Sequence, residues 1–245
     1  MSYTLDYGSV IQIPTENEYG LITKELKNFI DGDFTVILRV KSSSDNILKN
    51  KKLDENQESC VFGRAGMHFG LFYVPSINSY KFTYWDSEDG VTFNYNDIHG
   101  MSLDTEDFVT LCLSHSKKEK SFNFFIDGEH VGEKIYKNIL DYSNTFIFLG
   151  VANLLDNAYP HQCFWAGEVD FLEMYDEKID SKILQSISSL TSLSKIDKIS
   201  SSYSKSLSYD FKDEKMTYYS IFDDSNNGNR GRINQQKINK EYNLV

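Results

Sequence analysis

Hydrophobic residues recur at every second position through much of the first 175 residues. Phe34, Val36, Leu38 and Val40 alternate with Thr35, Ile37, Arg39 and Lys41, the period of a strand with one buried face. Met67, Phe69, Leu71 and Tyr73 alternate in the same way with His68, Gly70, Phe72 and Val74, and Tyr80 to Trp85 follows as a further strand. Asp86-Ser87-Glu88-Asp89-Gly90 predicts a turn before a strand carrying Val91, Phe93 and Tyr95. Val109, Leu111 and Leu113 mark the next strand. Phe122 to Ile126 then runs into Asp127-Gly128, a dipeptide that closes two-residue hairpins, with Val131 on the return. Phe146 to Leu149 is apolar on both faces, as expected of a central strand in a two-layer structure. The polar stretch from Lys41 to Ser59 predicts a long loop. Many short strands without helices between them predict an all-β fold, an antiparallel β-sandwich.

The period changes after Tyr175. Ile183, Ile187, Leu190, Leu193, Ile196 and Ile199 recur every three or four residues and draw one apolar stripe along a helix, with Asp180 placed to cap its start. Serine fills many of the other positions and lowers helix propensity, so this C-terminal helical connector depends on packing. It either lies on the sandwich or leads to a further module. Ser208-Tyr209-Asp210-Phe211 reads as a strand, Asp224 to Asn229 as a turn cluster, and Arg230 to Val245 as a polar tail. The expected organisation is a sandwich over 1–178, a Ser-rich amphipathic helix or linker over 179–206, and a short strand with polar tail over 207–245, the start of a further module or a strand folded back.

Composition narrows the function classes. Of 245 residues, 40% are hydrophobic and 14% aromatic, with only 3 prolines, which suits pleated, half-buried surfaces. A net charge of −11 repels phosphate backbones and argues against nucleic acid as a partner. No run reaches the roughly 18 to 20 apolar residues of a membrane helix, so membrane insertion is not expected. Met1 to Asp6 shows neither a basic nor an apolar leader region, and Cys60, Cys112 and Cys163 are odd in number and far apart. Both observations lead to the expectation of a cytoplasmic, reducing location.

Segments near the start, in the middle and near the end of this stretch, in that order, carry a family resemblance. Leu5 to Pro14 looks like an opening strand, and Gly32-Asp33-Phe34-Thr35-Val36 to Lys41 like a second. Phe122 to Gly128 is similar to a strand-and-turn motif ending in Asp-Gly. Phe148-Leu149-Gly150, followed by Phe164-Trp165-Ala166-Gly167-Glu168-Val169-Asp170 to Tyr175, resembles a closing strand pair. Together they resemble the laminin-G-like branch of the concanavalin A-like lectin/glucanase superfamily, over about residues 3 to 178. The resemblance implies a jelly-roll sandwich and a non-catalytic, lectin-like carbohydrate-recognition module, an accessory domain of a larger carbohydrate-active protein. Its partners would be a glycan or polysaccharide and a downstream catalytic domain. The alternative is a protein–protein interaction or structural domain that packs on a neighbouring catalytic domain.

Candidate chemistry sits in three places. Glu168, Asp170 and Glu173 form E-x-D-x-x-E, which resembles the signature of retaining β-glucanases in the same superfamily, with a nucleophile, a tuning Asp and an acid/base. That chemistry places two carboxylates about 5 to 5.5 Å apart. An odd separation sends Glu168 and Glu173 to opposite faces unless a β-bulge intervenes. Chain order argues against the enzyme, because the Asp127-Gly128 hairpin precedes this strand where in the glucanases it follows. For sugar recognition, an aromatic stacks on a pyranose while acids and amides meet its hydroxyls. Tyr84, Trp85 and Asp86 at a strand end, and Tyr159, His161 and Trp165 before the last strand, are the candidates. No cofactor is required, although calcium is the ion that acidic turns would hold, at Asp86, Glu88 and Asp89 or at Asp156 and Asn157. The five histidines show no metal-binding spacing.

Overall fold

The computed structural model describes residues 3–6, 9–13, 32–45, 47, 58–64, 69–103, 107–139, 147–150, 165–187, 202–211, 220–221 and 231–235. Its strands are β1 (Tyr3–Leu5), β2 (Ser9–Ile13), β3 (Phe34–Ser42), β4 (Ser59–Arg64), β5 (Phe69–Val74), β6 (Ser79–Ser87), β7 (Phe93–His99) and β8 (Val109–Ser116). They continue with β9 (Ser121–Ile126), β10 (Glu129–Ile135), β11 (Asn138–Ile139), β12 (Ile147–Leu149), β13 (Gly167–Tyr175), β14 (Lys205–Asp210), β15 (Ser220–Ile221) and β16 (Gly231–Gln235). One helix, α1 (Ser181–Ile187), follows β13.

The strands form two sheets. The first has seven strands in the order β1-β13-β3-β8-β9-β10, with β14 also on β13. The second has nine, in the order β11-β6-β5-β4-β12-β2-β16-β15, with β7 also on β6. Every strand pairing among the described residues is antiparallel. This is the antiparallel β-sandwich that the alternation predicts, with the jelly-roll form that the family resemblance implies. Between the sheets lie Phe34, Val36, Leu38 and Val40 of β3, Phe82 and Tyr84 of β6, and Phe122 and Phe124 of β9. The ring of Phe122 meets Phe82 at 4.9 Å and Tyr84 at 5.0 Å between centroids, so the two layers interlock through aromatic contacts.

Local sequence chemistry sets the boundaries. Asp127 and Gly128 both have positive φ, 46° and 78°, the two left-handed positions of the turn that this dipeptide favours, and they connect β9 to β10. β12 is an interior strand, paired with β4 on one edge and β2 on the other, and its Ile147 and Leu149 point into the core. The opening segment read as one strand is two, β1 and β2, which join different sheets. Strand β4 was not predicted, because its beginning lies at the end of the polar run assigned to a loop.

The outer face of the seven-stranded sheet is covered. Ile37, Cys112, Phe125, Phe171 and Tyr175 form a second apolar cluster with Ile179, Leu184 and Ile187. For this reason β3 is buried on both faces along most of its length, not on one as the alternation suggests. Asp180 caps α1: its Oδ1 accepts the Lys182 N–H at 2.8 Å and its carbonyl the Leu184 N–H at 3.0 Å. Thr35 Oγ1 donates to the Glu177 carbonyl and accepts the Ile179 N–H, both at 3.0 Å, which fixes the entry to the helix. Beyond it β14 pairs with β13, and β16 pairs with β2. These two segments fold back onto the sheets. The predicted helical stripe beyond Ile187 lies outside the described residues. Among the described residues no helix is long and apolar enough to cross a membrane.

Candidate functional site

The three acids of the E-x-D-x-x-E segment stand on the outer face of the seven-stranded sheet, and a β-bulge puts them there. Val169 pairs with Val40 and Phe171 with Arg39, leaving Asp170 as the extra residue. The bulge removes the parity problem, yet each carboxylate has a cation beside it. Glu168 lies 3.9 Å from Lys41 Nζ, and Asp170 3.2 Å from Arg39 Nε. Glu173 is fully buried; it meets Lys205 Nζ at 2.6 Å and accepts a hydrogen bond from the Tyr175 hydroxyl. A glycosidic acid/base must touch the sugar and exchange its proton as the bond breaks. In this arrangement Glu173 reaches neither solvent nor substrate. The acids tie β13 to β3 and β14.

The predicted sugar-binding aromatics separate in the structure. Trp165 is fully buried between the sheets and donates its indole N–H to Ser42 Oγ at 2.7 Å, so it is a core residue and offers no stacking face. The Ser42 hydroxyl also meets the Tyr80 hydroxyl at 2.8 Å. Tyr84 points into the core, 2% exposed, and stacks on Phe82. Burial pushes its phenol up to about 12, with Asp86 and Asp97 adding to the shift. The parity of β6 explains the correction: Tyr80, Phe82 and Tyr84 share the inner face, and Trp85 stands half-buried on the outer one. Tyr159 and His161 lie outside the described residues, as do the calcium candidates Asp156 and Asn157.

The acidic turn is organised by backbone bonds. Asp86 Oδ1 accepts the N–H groups of Ser87, Lys137 and Asn138 at 2.7, 3.1 and 3.0 Å, fastening β11 to β6. Asp89 Oδ1 accepts Val91 N–H, Thr92 N–H and the Ser87 hydroxyl at 2.9, 2.8 and 2.8 Å. The bonds from Thr92 and Val91 hold its carboxyl well below the usual carboxylate range. Glu88 pairs with Lys137 at 2.9 Å. Among the described residues no three His, Cys, Asp or Glu side chains converge as a metal site would require.

A different constellation surrounds Trp85, on the outer face of β5, β6 and β7. Pairing sets Lys81 opposite His99, Thr83 opposite Asp97 and Trp85 opposite Tyr95. Lys81 and Thr83 are buried although they point away from the core. Lys81 Nζ bonds to Asp97 Oδ2 at 3.1 Å, pairs with Glu58, and lies 5.8 Å from the centroid of the Phe72 ring. Thr83 Oγ1 donates to Asp97 Oδ1 at 2.7 Å. His99 Nε2 is 3.5 Å from Asp97 Oδ2. Solvent reaches the carboxylates of Asp97 and Glu58 and the imidazole of His99, whereas Lys81 lies beneath them. Of these residues the sequence reading named only Trp85. The signal for the others was a lysine set between Tyr80 and Phe82, with an aspartate one hairpin partner away on the next strand.

A sequence profile described as the concanavalin A-like lectin/glucanases superfamily matches residues 14–182. The chain belongs to this superfamily. No curated protein matches it in sequence. Among solved structures, this superfamily member is similar to a candidate carbohydrate-binding protein from Bacteroides ovatus, at 11% identity and a TM-score of 0.62 over 95% of this chain. The chain spans 57% of that protein's length. It is also similar to the CBM40 module of the Ruminococcus gnavus IT-sialidase bound to α2,3-sialyllactose, at 12% identity and a TM-score of 0.55, covering 76% of this chain and 96% of that one. A third likeness is to a leech intramolecular trans-sialidase, at 14% identity and a TM-score of 0.53, over 78% of this chain but only 27% of the enzyme. At these identities the likeness shows a shared fold.

Proposed function

We propose that this chain is a lectin-like glycan-recognition module that serves as an accessory domain of a larger carbohydrate-active protein, and that it binds its ligand on the outer face of the β6–β7 hairpin. The observation that carries the reading is Trp85 standing on the same face as Thr83, Asp97, Lys81 and His99. A half-buried indole gives a flat apolar surface for a pyranose, and the carboxylates beside it accept hydroxyl hydrogens. The fold supports the reading by analogy, since the Ruminococcus gnavus module was solved with a sialyllactose. The accessory role is supported by the leech enzyme, in which the matching part is 27% of the chain.

The test is a glycan array probed with the wild-type protein and with Trp85→Ala. Wild type is expected to retain a defined set of oligosaccharides, and the variant to bind them at least tenfold more weakly, a loss of about 1.4 kcal/mol or more. Retention of no glycan by a folded wild-type protein would overturn the reading. So would equal retention by the variant.

A further inference from the structure

The charges on this face bear on which glycans it can accept. Among Glu58, Lys81 and Asp97 there are two carboxylates and one ammonium. The ammonium is the least accessible of the three, with 7% of its side chain exposed, and both carboxylates hold it from above. A ligand arriving from solvent therefore meets carboxylate oxygens first. Asp97 is 26% exposed; one oxygen accepts Thr83 and the other accepts Lys81. A carboxylate has about four lone-pair sites, so Asp97 retains acceptor capacity toward solvent. Acceptors held in place and ionised are suited to hydroxyl donors, and they repel carboxylates and sulfates. The net charge of −11 adds repulsion of the same sign at longer range.

The spacing also fits one sugar ring. Trp85 and Thr83 are two residues apart on one face, so the indole lies about 7 Å along the strand from the Thr83–Asp97 pair. A pyranose stacked on Trp85 would bring its ring hydroxyls within reach of Asp97.

We infer that the glycan recognised here is uncharged, and that Asp97, set by Thr83 and Lys81, is the residue that reads its hydroxyls and rejects acidic sugars. The inference rests on the glycan-binding reading and departs from the ligand seen in the Ruminococcus gnavus module, which carries a sialic acid. The experiment uses an array of neutral oligosaccharides beside their sialylated, sulfated and uronic-acid counterparts, followed by calorimetric titration of the best matched pair. In the wild-type protein the neutral member should bind at least tenfold more tightly than its acidic counterpart. Asp97→Asn removes one negative charge and releases Lys81, so it should weaken the neutral ligand at least fivefold and narrow the gap between the pair. Thr83→Val, which disturbs Asp97 without changing charge, should weaken the neutral ligand and leave the ratio near its wild-type value. Melting curves confirm that each variant is folded. Tighter wild-type binding of the acidic member would overturn the inference while leaving the glycan reading intact. Unchanged affinities in both variants would overturn it as well. No retained glycan at all would overturn both.

Discussion

His115 offers a sharp test of the packing between the sheets. It is 1% exposed, it packs against the rings of Phe34 and Phe122, and it stacks on Tyr136. Its Nδ1 is 2.8 Å from the Gly32 carbonyl, and its Nε2 is 2.9 Å from the Tyr136 hydroxyl. The carbonyl can only accept, so the neutral ring carries its proton on Nδ1, and Tyr136 donates to Nε2. Burial strips water from the imidazolium and pushes the pKa down from 6.5 to about 4, against a smaller upward pull from the Gly32 carbonyl. The unfolded chain therefore binds a proton at a higher pH than the folded one, and stability falls as pH drops through this window. With unfolded and folded values of 6.5 and about 4, the loss is about 2 kcal/mol between pH 8 and pH 5, and about 3 kcal/mol by pH 4. Urea unfolding of the wild type and of His115→Phe at pH 8, 7, 6 and 5 isolates this contribution, because titrating carboxylates act on both proteins. At pH 8 the variant should be less stable by about 1 to 3 kcal/mol, since the Gly32 carbonyl and Tyr136 hydroxyl lose their partner. By pH 5 that gap should shrink by about 2 kcal/mol, or reverse. A gap that stays constant within about 0.5 kcal/mol across the series would refute the assignment of His115 as a neutral core residue.

Two further predictions concern how the sheets are closed. Lys205→Ala leaves the fully buried Glu173 without its ammonium partner and should destabilise the protein by about 3 kcal/mol, whereas Glu173→Gln with Lys205→Met should recover most of that loss. Urea midpoints of the two variants check it, and equal midpoints would show that the pair does not fasten β14 to β13. At Gly167 an added Cβ would lie 2.3 Å from the Lys41 carbonyl oxygen and 2.4 Å from the Trp165 ring, so Gly167→Ala should cost about 1 to 3 kcal/mol in overpacking, read as a lowered melting temperature. An unchanged melting temperature would contradict the burial of Trp165 against this strand.

Much of the fold was legible because the alternation in β3, β5, β6 and β8 and the Asp127-Gly128 turn are local properties of the chain. What lies on top of a sheet is not local. Ile37 alternates with Val36 and Leu38 and so was placed on the solvent side, yet α1, about 145 residues later, covers that side and buries it. The same blindness affects the candidate site. Trp165 reads as a sugar-stacking candidate from its place in the loop before the last strand, but its partner is Ser42, 123 residues away. Period two distinguishes the faces of β6 and so separates Trp85 from Tyr84, but Glu58 reaches Lys81 only once β4 is placed beside β5.

The two outer faces give the polar residues of this sandwich opposite roles. On the seven-stranded sheet, a conspicuous acidic motif faces one cation per carboxylate, Lys41, Arg39 and Lys205, on strands paired directly with β13. The apolar cluster under α1 shares that face. Charge there is locally balanced, and Glu173 is closed to solvent, which is what strand attachment requires. On the nine-stranded sheet, an inconspicuous lysine is outnumbered by its acids and lies below them, leaving carboxylates and an indole toward water. The acids compensate the buried ammonium of Lys81, and their own side chains stay partly exposed, at 34% for Glu58 and 26% for Asp97. The consequence is a fixed set of acceptors beside a flat apolar surface, the pairing that recognition of a sugar needs. Among the described residues, the acids that resemble a known catalytic motif hold strands together, and the Trp85 face carries polar chemistry outside that motif.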